Sequence, residues 1–190
     1  MIDVVLDLLD RNTLIGSLPH GGIGAEVGVD VGLFSEVILK RNQPRELWLI
    51  DAWHHQDAET YGSDPANAVE QAQEGKFVQV TRQFADRPHV HILREWSVKA
   101  AVTFPDEYFD WWHIDANHLQ VEKDLVAWWP KLKRGGFATG HDFCVVSDFI
   151  DVKPKVEAFA VEHGLMIHVA GLQSDDVYQR HYPTWAMRKP

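Results

Sequence analysis

The sequence predicts a single α/β domain built on a doubly wound, mostly parallel sheet, and three observations lead to that prediction. Short apolar runs alternate with segments of helical periodicity, which is typical of parallel strands joined by crossover helices. The chain has 190 residues, of which 45% are hydrophobic, so it can bury one sizeable core. Neither a repeat nor a low-complexity stretch divides it. We therefore expect residues 1–190 to form one domain.

In the first half of the chain, residues that break secondary structure separate the predicted elements. These elements are a helix over 2–9, a strand over 25–29, a helix over 33–41, a strand over 46–50 and a helix over 67–85. The helices have apolar side chains at helical spacing, and the loop SLPHGGIG ends the first one because Gly and Pro disfavour both element types. The helix over 33–41 is expected to stop before Pro44, which cannot continue it.

The second half of the chain alternates in the same way. We predict a strand over 89–93, a helix over 97–104, a strand over 109–114, a helix over 119–129, a strand over 136–140 and a helix over 153–163. Pro130 is expected to end the helix over 119–129, and Gly164 the helix over 153–163. The tail, with apolar runs over 165–171 and 184–190, predicts a final antiparallel pair.

Charge and composition exclude several classes of partner. A formal net charge of −10 disfavours nucleic acid, because phosphate contacts need clustered lysine and arginine. The single cysteine, Cys144, excludes an internal disulfide and fits a reducing compartment. The acidic N-terminus lacks the basic region of a signal peptide, and no apolar run approaches the roughly 18 residues of a membrane span. We expect a cytoplasmic protein without a nucleic-acid or membrane partner.

Polar residues follow the predicted parallel strands. Because right-handed crossovers place the carboxyl ends of such strands along one edge of the sheet, ligands bind at that edge. The groups just past the strands are 28–32, 51, 95–97, 115–118 and 141–142. Carboxylates recur among them, so we expect a functional site there.

The stretch AEVGVDVGLFS places Gly28 and Gly32 four residues apart between a strand and a helix. Asp30 stands where a dinucleotide-binding turn approaches a pyrophosphate, so the loop favours an adenosine ligand without phosphates, preferably a cationic one. A simple tight turn is the alternative. Asp51 lies close to where an acidic residue binds ribose hydroxyls in nucleotide folds, with a helix N-cap as its alternative.

These residues, together with the block FDWWHIDANHLQVEKDLVAWWPKLKRGGFATGHDF, resemble class I S-adenosylmethionine-dependent methyltransferases. The resemblance spans roughly residues 25–143 and is strongest to the branch of macrolide-sugar O-methyltransferases and cephalosporin-hydroxylase-like proteins. It implies a Rossmann-like sheet of seven strands whose last strand is antiparallel. For the cofactor S-adenosylmethionine it implies contacts with Glu26, Gly28 and Gly32 near the methionine portion, Asp51 on the ribose, and Trp96 and Ser97 near the adenine.

The same resemblance assigns the chemistry to the ends of the fourth and fifth strands. It implies that Asp115 is a metal ligand, that His118 is the general base, and that His141 and Asp142 complete the metal site. Here a histidine replaces one acidic ligand, so a divalent metal such as Mg²⁺ or Mn²⁺ is expected but its requirement stays open. The structural alternatives are an N-cap for Asp115 and a backbone contact at a helix start for His118.

The sequence therefore predicts a methyltransferase that acts on a hydroxyl oxygen of a small molecule, such as a sugar or another polyol. The long polar segment 53–75 is the expected substrate lid. Two alternatives remain: a non-catalytic protein that binds adenosyl ligands, and a nicotinamide-dependent oxidoreductase, which Asp30 and the missing third glycine disfavour. The aromatic content makes a homodimer a reasonable expectation.

Overall fold

The computed structural model describes residues 10–57, 64, 66–146 and 150–190, and the helix predicted over 2–9 lies outside them. Within these ranges the strands are β1 (Ile23–Val27), β2 (Glu46–Asp51), β3 (Val90–Arg94), β4 (Phe109–Ile114), β5 (Leu132–Gly140), β6 (Val145–Val146), β7 (Ile150–Asp151), β8 (His168–Ala170) and β9 (Thr184–Arg188). The helices are α1 (Arg11–Ser17), α2 (Leu33–Arg41), α3 (Glu70–Gln83), α4 (Ser97–Val102), α5 (Val121–Trp128), α6 (Val152–His163) and α7 (Val177–His181). A 3₁₀ turn over Trp129–Lys131 follows α5.

Seven of the strands form one sheet in the order β3-β2-β1-β4-β5-β9-β8. The pairs among β1 to β5 are parallel, whereas β9 runs antiparallel to both β5 and β8. The predicted fold class, with its antiparallel last strand, is therefore confirmed. No helix in the described part of the chain is long and apolar enough to cross a membrane.

The two adjacent tryptophans of β4 show how the sheet buries both of its faces. Successive side chains of a strand point to opposite faces, so Trp111 and Trp112 enter different cores. Trp112 packs with Trp128 and Trp185 on one side, and Trp111 packs with Leu47 and Leu49 on the other. All of these side chains are buried. A central parallel strand covered on both faces therefore has a continuous apolar run rather than an alternating one.

Several element boundaries differ from the prediction for local reasons. β1 begins two residues earlier than predicted, because Ile23 already pairs with Glu46 of β2. It ends at Val27 because Gly28, with a φ of 92°, leaves the extended conformation. β5 begins at Leu132 rather than at residue 136, because Leu132 already pairs with Phe109 before an irregularity in the register. A left-handed Gly164 ends α6, as predicted.

Two short helices and one small hairpin were not predicted. α1 begins after Asp10, whose side chain accepts hydrogen bonds from the backbone N and the Oγ1 of Thr13, each at 2.7 Å. α7 begins after Asp176, which caps the backbone N of Tyr178 at 2.8 Å. The strands of the β6–β7 hairpin have two residues each, too few to show a periodicity.

Candidate active site

A cavity of about 670 Å³ opens at the carboxyl ends of the parallel strands. Its wall includes residues from four of the five predicted strand-end groups: Gly28, Asp30, Asp51, Trp96, Ser97 and Asp115. Parts of the predicted lid, including Gln56 and Asn67, contribute to the wall as well. The other predicted lid residues from 58 to 63, and residue 65, lie outside the described residues. The sheet edge thus brings together groups that are far apart in sequence.

The glycine loop after β1 passes close under the fourth strand. Gly28 has a φ of 92°, and a Cβ placed on it would overlap the backbone carbonyl oxygen of Asp115. Gly32, with a φ of 76°, forms the N-cap of α2 and faces the ring of Phe84. Both positions therefore favour glycine for its conformation, and Gly28 also for the close approach of two backbone segments.

Asp51 organises this loop through backbone hydrogen bonds. Its Oδ2 accepts from the amides of Val29 at 2.8 Å and Asp30 at 3.0 Å, and its Oδ1 accepts from the amide of Trp53 at 2.8 Å. A carboxylate can accept about four hydrogen bonds. Asp51 lines the cavity and so keeps acceptor capacity for a ligand hydroxyl. Its contact with ribose stays a prediction.

Asp30 carries the negative charge that the loop presents to the cavity. Lys76 of α3 lies 2.5 Å from its carboxylate, and the indole N–H of Trp53 donates to its backbone oxygen at 2.8 Å. Because the Asp30 side chain is about half exposed, at 49%, water screens this ion pair. The charge of Asp30 is therefore paired with a lysine, and a contact of this loop with a cationic cofactor stays a prediction.

Glu26 lies beneath the loop rather than in the wall of the cavity. It is 1% exposed, and its carboxyl group accepts a hydrogen bond from the Ser35 hydroxyl at 2.5 Å. Burial raises the pKa of Glu26 to about 8, against the opposing effect of the Ser35 bond. Neither Glu26 nor Gly32 is among the described residues that line the cavity. Their contacts with the methionine portion stay predictions.

A cluster of carboxylates and imidazoles occupies the ends of β4 and β5. His118 Nε2 lies 2.7 Å from Asp142 Oδ2 and 3.7 Å from Asp115 Oδ1. His141 Nδ1 lies 3.0 Å from Asp142 Oδ1 and 3.7 Å from Asp115 Oδ2. The structure therefore brings the four predicted residues Asp115, His118, His141 and Asp142 into one cluster.

Contacts within the cluster shift the pKa values of its histidine and its carboxylates. Burial alone would lower the pKa of His118, but its bonds with Asp115, Asp142 and Asp64 raise that pKa to about 12. Burial would raise the pKa of Asp115, but nearby His141, the His118 bond and Arg11 lower it. The pKa of Asp142 is likewise lowered, by His118 and His141, against burial. These contacts therefore favour a protonated imidazole at His118 and ionised carboxylates around it.

Two residues that the sequence did not point to complete this cluster. Arg11 of α1 places Nη1 3.2 Å from Asp115 Oδ2, with its guanidinium 4.1 Å from the ring centroid of Phe34. Asp64, from the predicted lid, places Oδ2 3.4 Å from His118 Nδ1. An arginine in the first turn of a short helix gives no local signal of such a role. Only the folded chain brings these groups to the strand ends.

The cluster also contains a candidate set of metal ligands. One ligand atom each from Asp115, His118 and Asp142 lies within 4.8 Å of the others. Two carboxylates and one imidazole suit Mn²⁺, Fe²⁺ or Zn²⁺ better than Mg²⁺, which prefers an all-oxygen shell. The imidazole within this distance is that of His118 rather than that of His141, so His118 is a candidate for either of two roles, metal ligand or general base. The predicted ligand role of His141 stays a prediction.

A second network borders the cavity near Trp96 and Ser97. Ser97 begins α4, and its hydroxyl donates to Asp124 Oδ1 of α5 at 2.5 Å. The indole N–H of Trp128 donates to the same hydroxyl oxygen at 2.9 Å. Asp124 was not among the predicted site residues, although a carboxylate on the apolar face of a helix is a signal that the sequence contains.

The sheet topology and the cavity at its strand ends define a class I S-adenosylmethionine-dependent methyltransferase. The family described as a methyltransferase domain matches residues 25–143, and the chain belongs to that family. The matched range coincides with the stretch over which the motifs resemble such enzymes. No curated protein matches the sequence.

Solved structures of other methyltransferases share the fold. A caffeoyl-CoA O-methyltransferase-like protein from Staphylococcus aureus has a TM-score of 0.64 at 15% identity, covering 99% of this chain and 85% of the other. Precorrin-6y C5,15-methyltransferase from Geobacter metallireducens has a TM-score of 0.64 at 15% identity, covering 94% and 85%. Fibrillarin from Aeropyrum pernix, solved with natively bound S-adenosyl-L-methionine, has a TM-score of 0.61 at 14% identity, covering 89% and 67%. At such low sequence identity the similarity shows a shared fold only, and it does not identify the methyl acceptor of this protein.

Proposed function

We propose that this methyltransferase transfers the methyl group of S-adenosylmethionine to a hydroxyl oxygen of a small molecule, with His118 as general base. The observation that carries the proposal is the juxtaposition of Asp115, His118 and Asp142 at the ends of β4 and β5. Asp115 belongs both to this cluster and to the cavity wall, so the two sites adjoin. A sugar or another polyol is the acceptor class that the motif resemblance favours.

The reaction needs a positioned acceptor and a destination for its proton. The acceptor oxygen attacks the methyl carbon as the bond from that carbon to the sulfonium breaks, and S-adenosylhomocysteine leaves as a neutral thioether. The hydroxyl proton passes to Nε2 of His118 in its neutral form. Holding acceptor and methyl in line at about 3 Å accounts for much of the rate enhancement in such reactions. Asp115 and Asp142 would orient both the imidazole and the acceptor.

The charge state of His118 bears on this role. A protonated imidazole cannot accept a proton, and the three surrounding carboxylates favour the protonated form in the metal-free protein. Carboxylates neutralised by a bound divalent cation would favour neutral His118 instead. Asp115 and Asp142 would hold such a cation, which when bound would supply Lewis acidity toward the acceptor oxygen.

The surroundings of the cluster favour a small acceptor over a polymer. Asp64 reaches His118 from the predicted lid, and Tyr178 of α7 stacks on His141 with 6.0 Å between ring centroids. Segments on both sides therefore cover the cluster. The net charge of −10 also disfavours nucleic acid as the acceptor.

Calorimetric titration of the metal-stripped protein with S-adenosylhomocysteine is the first test. It is repeated with Mg²⁺ and with Mn²⁺ present, and each metal is titrated alone. We expect S-adenosylhomocysteine to bind in all three conditions and Mn²⁺ to bind more tightly than Mg²⁺.

The outcomes separate the parts of the proposal. Cofactor binding without binding of either metal would remove the metal from the mechanism while leaving the methyltransferase. Absence of cofactor binding under every condition would contradict the proposed function. If the protein binds the cofactor but methylates no hydroxylated acceptor in a broad screen, the result would favour the alternative of a non-catalytic protein that binds adenosyl ligands.

A further inference from the structure

One side of α3 carries long polar side chains that contact the glycine loop, residues 28–32. Lys76 Nζ lies 2.5 Å from Asp30 Oδ1, and Gln79 Nε2 donates to the backbone oxygen of Val31 at 3.3 Å. Side chains three residues apart lie on the same side of a helix, so both contacts come from one face of α3. The loop is therefore fixed by α3 in addition to Asp51.

Asp30 has an unusual backbone conformation that needs such contacts. Its φ of 52° lies in the left-handed region, which residues other than glycine seldom adopt. A conformation of this kind persists where the surrounding structure fixes it. All three polar groups of Asp30 have a partner: the amide bonds to Asp51, the backbone oxygen to the indole of Trp53, and the carboxylate to Lys76. Lys76 is therefore one of three anchors of this residue.

Lys76 also reaches a second segment. Its ammonium group donates to the backbone oxygen of Ala66 at 3.0 Å, and Gln73 donates to the same oxygen at 2.9 Å. Ala66 is the first residue of the stretch that leads into α3, residues 66–69, which we call the lid root. Ala66 and Asn67 also line the cavity. The three donors of one ammonium group thus serve acceptors on both the glycine loop and the lid root.

The lid root is joined in turn to the end of β4. The side chain of Asn67 donates to the backbone oxygen of Gln56 and accepts from its amide, each at 2.9 Å. The side-chain oxygen of Gln56 accepts from Asn117 at 2.9 Å, and Asn117 precedes His118 in the sequence. These contacts make a continuous path from the glycine loop through Lys76 to the strand end that carries the cluster.

A surface ion pair alone does not account for Lys76. A lysine on a helix ordinarily extends its charge into water and contributes little to stability. The side chain of Lys76 is only 17% exposed, although that of Asp30 is 49% exposed. Covering this ammonium group costs hydration, which contacts with two acceptors offset. The burial of Lys76 therefore fits a connecting role better than simple neutralisation of Asp30.

We propose that Lys76 is a positioning residue that couples the lid root to the glycine loop, so that two parts of the cavity wall keep one mutual arrangement. The inference rests on the proposed function only in that the cavity receives the cofactor. Lys76 is not among the described residues that line the cavity, so it acts through Asp30 and Ala66, which do line it. Disturbing the lid root should then loosen the glycine loop while Lys76 is present, and should leave the loop unaffected once Lys76 is replaced.

Hydrogen–deuterium exchange in the ligand-free protein tests the coupling directly. Lys76→Met keeps the apolar stem and removes the donors, and we expect exchange in peptides that cover 28–32 and 66–69 to be about three- to tenfold faster, as for lost hydrogen bonds. Arg82→Met removes a basic side chain from the exposed side of the same helix and should leave both segments unchanged. Melting temperatures verify that each variant is folded. Faster exchange in only one of the two segments of Lys76→Met would contradict the coupling.

A double-mutant cycle distinguishes coupling from general support of α3. Gln73→Leu removes the other donor to Ala66 and so disturbs the lid root. In the parent background it should speed exchange in both segments, whereas in the Lys76→Met background it should speed exchange at 66–69 without a further change at 28–32. A structural role confined to α3 predicts the same increment at 28–32 in both backgrounds, and that result would overturn the inference.

Titration with S-adenosylhomocysteine measures the consequence for the cofactor. We expect Lys76→Met to bind it about three- to tenfold more weakly than the parent protein does, and Arg82→Met to bind it with the parent affinity. Equal affinities of Lys76→Met and the parent protein would show that Lys76 has no part in shaping the cavity.

The two measurements separate this inference from the proposed function. If the parent protein binds no S-adenosylhomocysteine, the proposed function fails, and the exchange cycle still decides whether Lys76 couples the two segments. If the parent protein binds the ligand but Gln73→Leu affects the glycine loop equally with and without Lys76, the proposed function stands and the inference fails.

Discussion

The two halves of the site, the glycine loop with Asp51 and the cluster around His118, are built in different ways. The loop is fixed by hydrogen bonds from its backbone amides to the carboxylate of Asp51. One of these bonds joins Val29 and Asp51, which are only 22 residues apart in the sequence. The cluster is held by side-chain charges from distant segments, and Arg11 and Asp115 are 104 residues apart. Backbone conformation over a short stretch of chain therefore determines the structure of the loop. The structure of the cluster depends on side chains that only the tertiary fold brings together.

This difference has consequences for substitutions. Changes in the loop should act on folding and on cofactor affinity, because the backbone there both shapes the cavity and packs under β4. Changes in the cluster should act on turnover, because its side chains face the reacting groups. Three predictions test this division, in order of decreasing magnitude, and a fourth concerns Asp124, which lies in neither half.

Gly28→Ala should have the largest effect, because Gly28 lies where the two halves touch. The added Cβ would overlap the Asp115 carbonyl oxygen, and the φ of 92° disfavours any side chain. We expect a loss of unfolding free energy of about 3 kcal/mol or more, measured by denaturant unfolding.

Gly21→Ala is the matched control for that variant. Gly21 has a φ of 67°, but a Cβ added there would meet no atom within 4 Å, so only backbone strain should be felt. We expect a loss of about 1–2 kcal/mol. Equal losses in the two variants would show that the contact between the halves contributes nothing.

His118→Ala should lower turnover by about 10²–10⁴ while cofactor affinity is preserved, because a general base acts on the acceptor. Single-turnover methyl transfer measures the rate, and titration with S-adenosylhomocysteine measures the affinity. His163→Ala, on the exposed end of α6, is the control. A His118→Ala variant as fast as the parent would place the base elsewhere.

Asp51→Ala should weaken S-adenosylhomocysteine binding by about 1.5–3 kcal/mol, the range for hydrogen bonds to a charged group. Asp51→Asn keeps one acceptor oxygen and should lose less. Thermal melting of both variants separates the disturbance of the loop amides from the loss of a ribose contact. Unchanged affinity in a folded Asp51→Ala protein would exclude the ribose role.

Taken per unit of pH, the smallest effect is a pH dependence of stability that arises from Asp124. Burial raises its pKa in the folded protein to about 7 from its ordinary value of 3.8, so between these values the folded state binds more protons than the unfolded state. The unfolding free energy should therefore fall as pH rises from about 4 to about 7, by at most about 1.4 kcal/mol per pH unit, and then level off.

Asp124→Asn should remove this contribution, so the parent protein should lose stability relative to the variant as pH rises. Glu26, whose pKa burial also raises, is present in both proteins and cancels in the comparison. Parallel stability curves from about pH 4 to about pH 8 would show that Asp124 titrates normally in the folded state.

Much of the sheet could be predicted because local patterns determine it. The apolar run from Phe109 to Ile114 can only be buried on both sides, and α2 has the predicted bounds Leu33–Arg41. The glycine loop and Asp51 were also recognisable, because Gly28 and Asp51 follow strands at spacings that nucleotide-binding folds require. Here the sequence constrains the backbone directly.

The cluster around His118 could be predicted only in part. Asp115, His118, His141 and Asp142 follow strands whose ends must meet, so their proximity was expected. Arg11 and Asp64 were not expected, because their helix and their loop carry no pattern that relates them to a strand end. Asp124 was recognisable in principle, as a carboxylate within the apolar stripe of α5, but its partner Ser97 was not.

Local patterns in the sequence were enough to establish the sheet, the order of its motifs and the family of the protein, since strand and helix periodicity, turn-forming glycines and strand-end carboxylates act within short stretches of chain. The folded chain was needed to establish which charges surround His118, which imidazole joins the two carboxylates, and that Asp124 borders the cavity. Charges and hydrogen bonds act through space over a few ångströms, whereas a sequence pattern records only distances along the chain.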